Sequence, residues 1–140
     1  MSFREKSAWL MVICLGVVSI GYAALVTTMS TAVGQLVPPL IPLLVVFTIL
    51  VAVLATGSHI LIAVFAPKDA AAPVDERDRA ISARAGAWSG YVFATGIALA
   101  LGQYLIGRNG DLLFYCVFGS WVLAQLSEYA FAIALYRRGI

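Results

Sequence analysis

Long apolar stretches dominate the chain, and no charged residue lies between Lys6 and Lys68. A transmembrane helix needs about 20 mainly apolar residues. This stretch is therefore long enough for two spans, which we place at about 7–29 and 43–65. Three prolines lie just before the second span, where the first helical turn loses no intrahelical hydrogen bond to a proline. The first half of the chain therefore predicts two membrane helices joined by a short connection.

The second half of the chain has a similar pattern, with predicted spans at about 85–107 and 112–136. The link between them, Arg108 to Asp111, contains an Asn-Gly turn signal, and Asp111 is expected to cap the last helix. So short a link places these two helices side by side in opposite directions. The predicted fold is all-α, a four-helix transmembrane bundle of two antiparallel hairpins, with the loop 66–84 between the hairpins.

The composition agrees with a membrane protein and argues against other classes. Hydrophobic residues make up 62% of the 140 residues and charged residues 11%, whereas soluble domains have roughly 45–50% and about 25%. So few charges cannot cover this much apolar surface in water, which excludes an ordinary soluble enzyme, and disorder requires low hydrophobicity. A net charge of +2 gives no basis for nucleic-acid binding. Residues 1–140 are therefore predicted to form one integral membrane domain in the lipid bilayer.

The distribution of lysine and arginine predicts the orientation of the spans, because cytoplasmic segments carry an excess of these residues. Arg108 is the single basic residue between the third and fourth spans. The two tails and the central loop carry the others, which are Arg4, Lys6, Lys68, Arg77, Arg79, Arg84, Arg137 and Arg138. Both termini and the loop 66–84 of this multi-pass protein are therefore expected in the cytoplasm.

The end of the central loop concentrates charges of both signs. These residues are Asp75, Glu76, Arg77, Asp78, Arg79 and Arg84. Acids in a first helical turn are favoured by the helix dipole, and no helix breaker follows, so one long helix should enter the membrane near Arg84 and Trp88. Two interpretations stay open. The segment is either a solvated helix whose acids pair with Arg4, Lys6, Arg137 or Arg138, or a docking surface for a cytosolic partner.

Two motifs in the second half of the chain resemble those of a known group of proteins. One is Asp-Glu-Arg-Asp at 75–78, followed by Ile81 and by Arg84-Ala85, and the other is the Tyr-Arg-Arg-Gly tail at 136–139. In both, the chain resembles small uncharacterised bacterial inner-membrane proteins with four helices. The resemblance implies four spans and a location in the bacterial inner (plasma) membrane, but no activity. That group often has an acid after Leu-Ala in the last helix, whereas this chain has Gln125 there and its acid at Glu128.

Small residues recur at every fourth position of the third span. The predicted helix-packing row is Gly86, Gly90, Ala94, Ala98 and Gly102, preceded by Ser82. Small residues let helix backbones approach closely, which matters in lipid because the usual hydrophobic drive between helices is absent. The favoured interpretation is that this row packs within the bundle, and the alternative is a seam between two copies of the chain.

His59 and Glu128 are the ionisable residues inside the predicted spans, and such residues often mark functional sites. Each lies about 10 Å inside the cytoplasmic end of its helix. Because a buried charge needs a partner and their depths are equal, we expect the two to form a polar pair. The pair is either structural, fixing the register of two helices, or part of a proton-coupled transport or sensing site.

No motif for catalysis, redox chemistry or phosphate binding occurs. One histidine, two separated cysteines and one membrane acid do not form a metal site, so we expect no metal, no cofactor and no enzyme. The leading functional hypothesis is a regulatory or scaffolding partner that presents its charged cytoplasmic helix to a cytosolic regulatory protein. The alternative is a small proton-linked transporter that uses Glu128 and His59 and works as a homo-oligomer.

Overall fold

The computed structural model describes residues 3–65 and 75–138, and all regular structure in these ranges is helical. The helices are α1 (Phe3–Val33), α2 (Ile41–Phe65), α3 (Glu76–Gly107) and α4 (Gly110–Arg138). The prediction of an all-helical chain with four helices is confirmed. Lys68 and the rest of 66–74, the first part of the predicted loop, lie outside the described residues.

The helices extend beyond the predicted spans, and local chemistry explains where they end. Gly34 follows α1 with a φ of +74°, a left-handed conformation that glycine adopts at no steric cost. Pro42 lies in the first turn of α2, where its missing N–H costs nothing. The segment before the third span is helical from Glu76 onward, which confirms the prediction of one long helix.

The turn between α3 and α4 is built by two residues. Arg108 takes a left-handed conformation with a φ of 50°, and its N–H donates to the Tyr104 carbonyl at 2.8 Å. Asn109 then caps α4, because its Oδ1 accepts a hydrogen bond from the Leu112 N–H at 2.9 Å. The prediction that Asp111 is the cap was therefore wrong, and Asp111 lies in the first turn of α4.

Helix α1 packs against α2 and α4, and α4 packs against α3. Where α1, α2 and α4 meet, the rings of Tyr22, Phe47 and Phe118 contact one another, with centroids 5.1–5.5 Å apart. Leu15 and Val122 complete this buried cluster. Aromatic side chains thus fill the middle of the bundle.

The outside of the molecule is apolar along most of its length. All four helices are long and apolar enough to cross a membrane, which makes the chain a multi-pass membrane protein by length and composition. Large apolar side chains on three different helices are almost bare, with Ile20 72%, Ile41 75% and Ile106 90% exposed. A soluble monomer rarely exposes contiguous apolar surface of this kind, whereas a lipid environment covers it.

The predicted helix-packing row of α3 is offset from the row that packs. Gly90, Ala94 and Ala98 are exposed, and a Cβ added at Gly90 or Gly102 would meet nothing within 4 Å. The buried residues of α3 are instead Ile81, Ala85, Ser89 and Ala100. The preference for this row as a seam inside the bundle was therefore wrong for Gly90, Ala94 and Ala98, because spacing alone does not show which side of a helix faces a neighbour. Gly86 at the start of the row is half-buried and does face α4.

Helices α3 and α4 approach each other closely at Gly96. A Cβ built there would lie 2.6 Å from the Ser120 Cβ, 3.5 Å from its Cα, and against its Oγ. Real carbon atoms do not approach this closely without displacement, so only glycine allows the two backbones their present separation. Gly96 was not singled out from the sequence, because it lies outside the four-residue spacing of the predicted row.

Candidate functional site

A polar depression of about 180 Å³ lies between α1, α3 and α4. Three alanines leave room for it, and Ala8 and Ala85 are among the buried residues. Its polar lining consists of Arg4, Ser7, Ser82, Glu128, Tyr129 and Tyr136. Of the ionisable residues that the sequence places inside the spans, this depression contains Glu128.

Glu128 is half-buried, and its carboxylate forms no hydrogen bond or ion pair with any residue in the described ranges 3–65 and 75–138. A Cβ added at Gly86 would lie 4.0 Å from its Oε1. Gly86, the first glycine of the predicted packing row, therefore faces this carboxylate and leaves space beside it. An acid at this depth without a protein partner is accessible to water, a proton or a cation from the depression.

At the rim of the depression, the charge of Arg4 is neutralised by an ion pair. The Arg4 Nε lies 2.9 Å from the Asp78 Oδ2, and the Tyr136 hydroxyl donates a hydrogen bond to the Asp78 Oδ1 at 2.9 Å. The positive charge of Arg4 is thus balanced by Asp78 on α3. Among the described residues, Glu128 is left as the acidic side chain of the depression that has no ion-pair partner.

His59 does not contact Glu128. Its Nδ1 lies 2.7 Å from the Ala55 carbonyl oxygen and its Nε2 lies 2.9 Å from the Ser7 Oγ. A carbonyl oxygen only accepts, so Nδ1 carries a proton, and in the neutral ring Nε2 accepts the Ser7 hydroxyl hydrogen. The expected direct pair is therefore not formed, because at this depth α2 packs against α1. Ser7 links the two residues indirectly, since it bonds His59 and also lines the depression with Glu128.

We expect His59 to be energetically coupled to Ser7 and not to Glu128. In a double-mutant cycle, His59→Leu with Ser7→Ala should show an interaction energy of about 0.5–1.5 kcal/mol, because the cycle removes one hydrogen bond. The effects of His59→Leu and Glu128→Gln should add. Unfolding in detergent, followed by circular dichroism, measures both cycles, and a larger coupling to Glu128 than to Ser7 would contradict this geometry.

The acidic–basic segment is divided between bonded and exposed residues. Asp78 is bound to Arg4 and Tyr136, and the Arg77 Nη2 lies 3.4 Å from the Tyr136 carbonyl oxygen, to which it donates a hydrogen bond. The remaining charged side chains of the segment are exposed, and they are Asp75, Glu76, Arg79 and Arg84. The structure thus supports the pairing of an acid with Arg4 and leaves a second set of charges in contact with solvent.

Glu5 is a further residue of this end that was not predicted from the sequence. It is 8% exposed, and its Oε1 lies 3.6 Å from the Arg137 Nε. The Arg137 guanidinium also lies over the Trp9 ring, 5.4 Å from its centroid, where a cation is attracted by the π face. The sequence signal that could have identified Glu5 was its position between two basic residues ahead of the first span.

These ion pairs bring the start of α1, the start of α3 and the end of α4 together. We call this region, defined by Arg4, Glu5, Asp78 and Arg137, the charged end of the bundle. The turn at Arg108 lies at the opposite end of α3. No known protein family, curated protein or solved structure matches the chain.

Proposed function

We propose that the chain is a small, non-enzymatic protein of the bacterial inner membrane that acts as a regulatory or scaffolding partner for a cytosolic protein. The observation that carries the proposal is the charged end. Three helix termini are tied together there by Arg4–Asp78 and Glu5–Arg137 ion pairs. A surface fixed at three points presents its remaining charges in a constant arrangement, which favours specific recognition.

The proposed topology is two antiparallel hairpins with both termini in the cytoplasm. The positive-inside rule supports it, since the basic residues other than Arg108 belong to the tails and the central loop. The contacts along α1 and α2 also support it, because Ser7 meets His59 and Tyr22 meets Phe47. Residues early in α1 thus contact residues late in α2, as expected for an antiparallel pair.

Asp75, Glu76 and Arg79 are the residues of this surface that a partner would contact first. All three are exposed at the start of α3, and the bond from Asp78 to Arg4 holds their backbone in place. A mixed pattern of charges steers a complementary partner and excludes others. The partner expected from this chemistry is a soluble protein with a patch of both signs.

Photo-crosslinking in cells tests the proposal. With p-benzoyl-phenylalanine at position 79, a single soluble protein should be crosslinked, and the same probe at position 109, at the opposite end, should not capture it. Asp75→Asn combined with Glu76→Gln should remove the adduct, because both side chains are exposed and Asp78 is retained. The captured protein should then bind the purified full chain. Equal capture from positions 79 and 109, or capture unaffected by the two substitutions, would count against the proposal.

A second function, a proton-linked carrier, is favoured by the unpartnered carboxylate of Glu128. The depression around it ends well before the aromatic cluster, since Tyr22 lies about 22 Å along α1 from Ser7. A pathway would therefore need a second copy of the chain.

Proton release from a purified homo-oligomer on addition of quaternary ammonium ions tests the carrier. Carboxylates and aromatic rings bind such cations, so release should occur in the wild type and disappear in Glu128→Gln. If the wild type releases no proton, Glu128 is not a coupling site for these ions.

A further inference from the structure

A second groove, separate from the Glu128 depression, lies where the start of α3 packs against the end of α4. It has a volume of about 390 Å³ and is lined by Glu76, Arg77, Ala80, Ile81, Arg84 and Leu135. Its chemistry is divided. The floor is apolar, since Ile81 and Leu135 are each 2% exposed, and the rim carries two guanidinium groups and one carboxylate.

Two arginines carry the positive charge of the rim, and one of them, Arg77, also donates a hydrogen bond to the Tyr136 carbonyl oxygen. Arg77 and Arg84 are seven residues apart, which places them two turns apart on one face of α3, about 10 Å along its axis. Ala80 lies between them and leaves the space open. Arg84 is exposed and forms no hydrogen bond or ion pair within 3–65 and 75–138. With Glu76 counted, the rim has a net charge of one positive unit, which complements a phosphodiester.

Beyond the groove, aromatic side chains follow Arg84 along the same face of α3. Below Arg84, the Trp88 ring on α3 meets the Phe131 ring on α4 edge-on, with centroids 5.3 Å apart. Tyr91, seven residues after Arg84 on the same face, is 73% exposed. An acyl chain can pack against such an apolar surface, whereas a soluble anion cannot.

We infer that this groove binds an anionic phospholipid headgroup, with the phosphate between Arg77 and Arg84 and the acyl chains against Trp88, Phe131 and Tyr91. Basic pockets between membrane helices on the cytoplasmic side are suited to such headgroups. The Glu76 carboxylate accepts a hydrogen bond from a headgroup hydroxyl, which phosphatidylglycerol has and phosphatidylcholine lacks. The site rests on the membrane location of the chain and shares Glu76 with the surface proposed for a cytosolic partner, whereas Arg84, the residue substituted below, belongs to the groove alone.

Lipid retention by the purified full chain tests the inference. The protein is exchanged from mixed phosphatidylglycerol and phosphatidylcholine into detergent, and the bound lipids are counted by native mass spectrometry. Wild type should retain phosphatidylglycerol in preference. Arg84→Gln should weaken this retention about fivefold, the effect of one arginine near an anionic headgroup. Because Arg84 makes no bond within the described residues, this variant should melt like the wild type.

The matched control is Arg79→Gln, which removes the same charge from the same exposed helix start but lies outside the groove. It should retain phosphatidylglycerol like the wild type. Inorganic phosphate in large excess should not displace the lipid. Equal losses in Arg84→Gln and Arg79→Gln would show attraction to the general charge of this end and would overturn the site. Displacement by phosphate alone would show a soluble-anion site and would overturn the lipid assignment.

Discussion

Replacing Gly96 by leucine is expected to destabilise the bundle by about 3 kcal/mol, because overfilling a packed contact forces the neighbouring backbones apart. The Ser120 Cβ already lies 2.6 Å from where a Cβ at position 96 would be. A short side chain fixed on a helix backbone cannot rotate away from this contact. Thermal unfolding in detergent measures the effect.

Gly90→Leu is the matched control, since the same change is made six residues earlier on α3, where a Cβ meets nothing within 4 Å. It should alter stability by less than about 0.5 kcal/mol. The contact can also be relieved from the other side. In a Ser120→Gly background, Gly96→Ala should no longer destabilise the protein. If Gly90→Leu were as damaging as Gly96→Leu, the predicted row of small residues would be an interface after all.

Asp78→Asn is expected to cost about 1–2 kcal/mol. The Asp78 side chain is 21% exposed and bonds both Arg4 and Tyr136. An exposed ion pair contributes about 0–1 kcal/mol, and a hydrogen bond to a charged group about 1.5–3 kcal/mol. Because Asp78 is partly exposed, we expect the cost of removing its charge to fall between these values. Equilibrium unfolding in mixed micelles measures the loss.

Asp75→Asn removes the same charge three residues earlier, from an exposed side chain that makes no capping hydrogen bond. Its cost should lie within about 0.5 kcal/mol of zero. Arg4→Gln and Asp78→Asn should also be coupled, with the double variant less damaged than the sum of the singles. Additive effects would mean that the ion pair does not hold α1 to α3.

The sequence by itself determined the number of helices and their approximate ends. The apolar lengths predicted four helices, and proline and Asn-Gly signals marked two of the connections. The acids of a first helical turn and the absence of a helix breaker after them predicted that the segment at 75–84 is continuous with the third helix, as α3 shows. These features are local, because the length of an apolar run and the residues that interrupt it are read directly along the chain. The N-cap of α4 is Asn109, two residues before the predicted one, since several polar residues there could serve as the cap.

The tertiary structure alone decided which faces meet and which residues pair. In lipid, a residue that faces a neighbouring helix and one that faces an acyl chain are both apolar. The sequence pattern therefore has no amphipathic signal that would show which face of a helix packs against its neighbour. The row at Gly90 was therefore predicted to pack, whereas Gly96 does. Depth along a helix likewise leaves the rotation about its axis undetermined. Equal depth therefore predicted that His59 pairs with Glu128, whereas the packing of α2 on α1 places the His59 ring against Ser7.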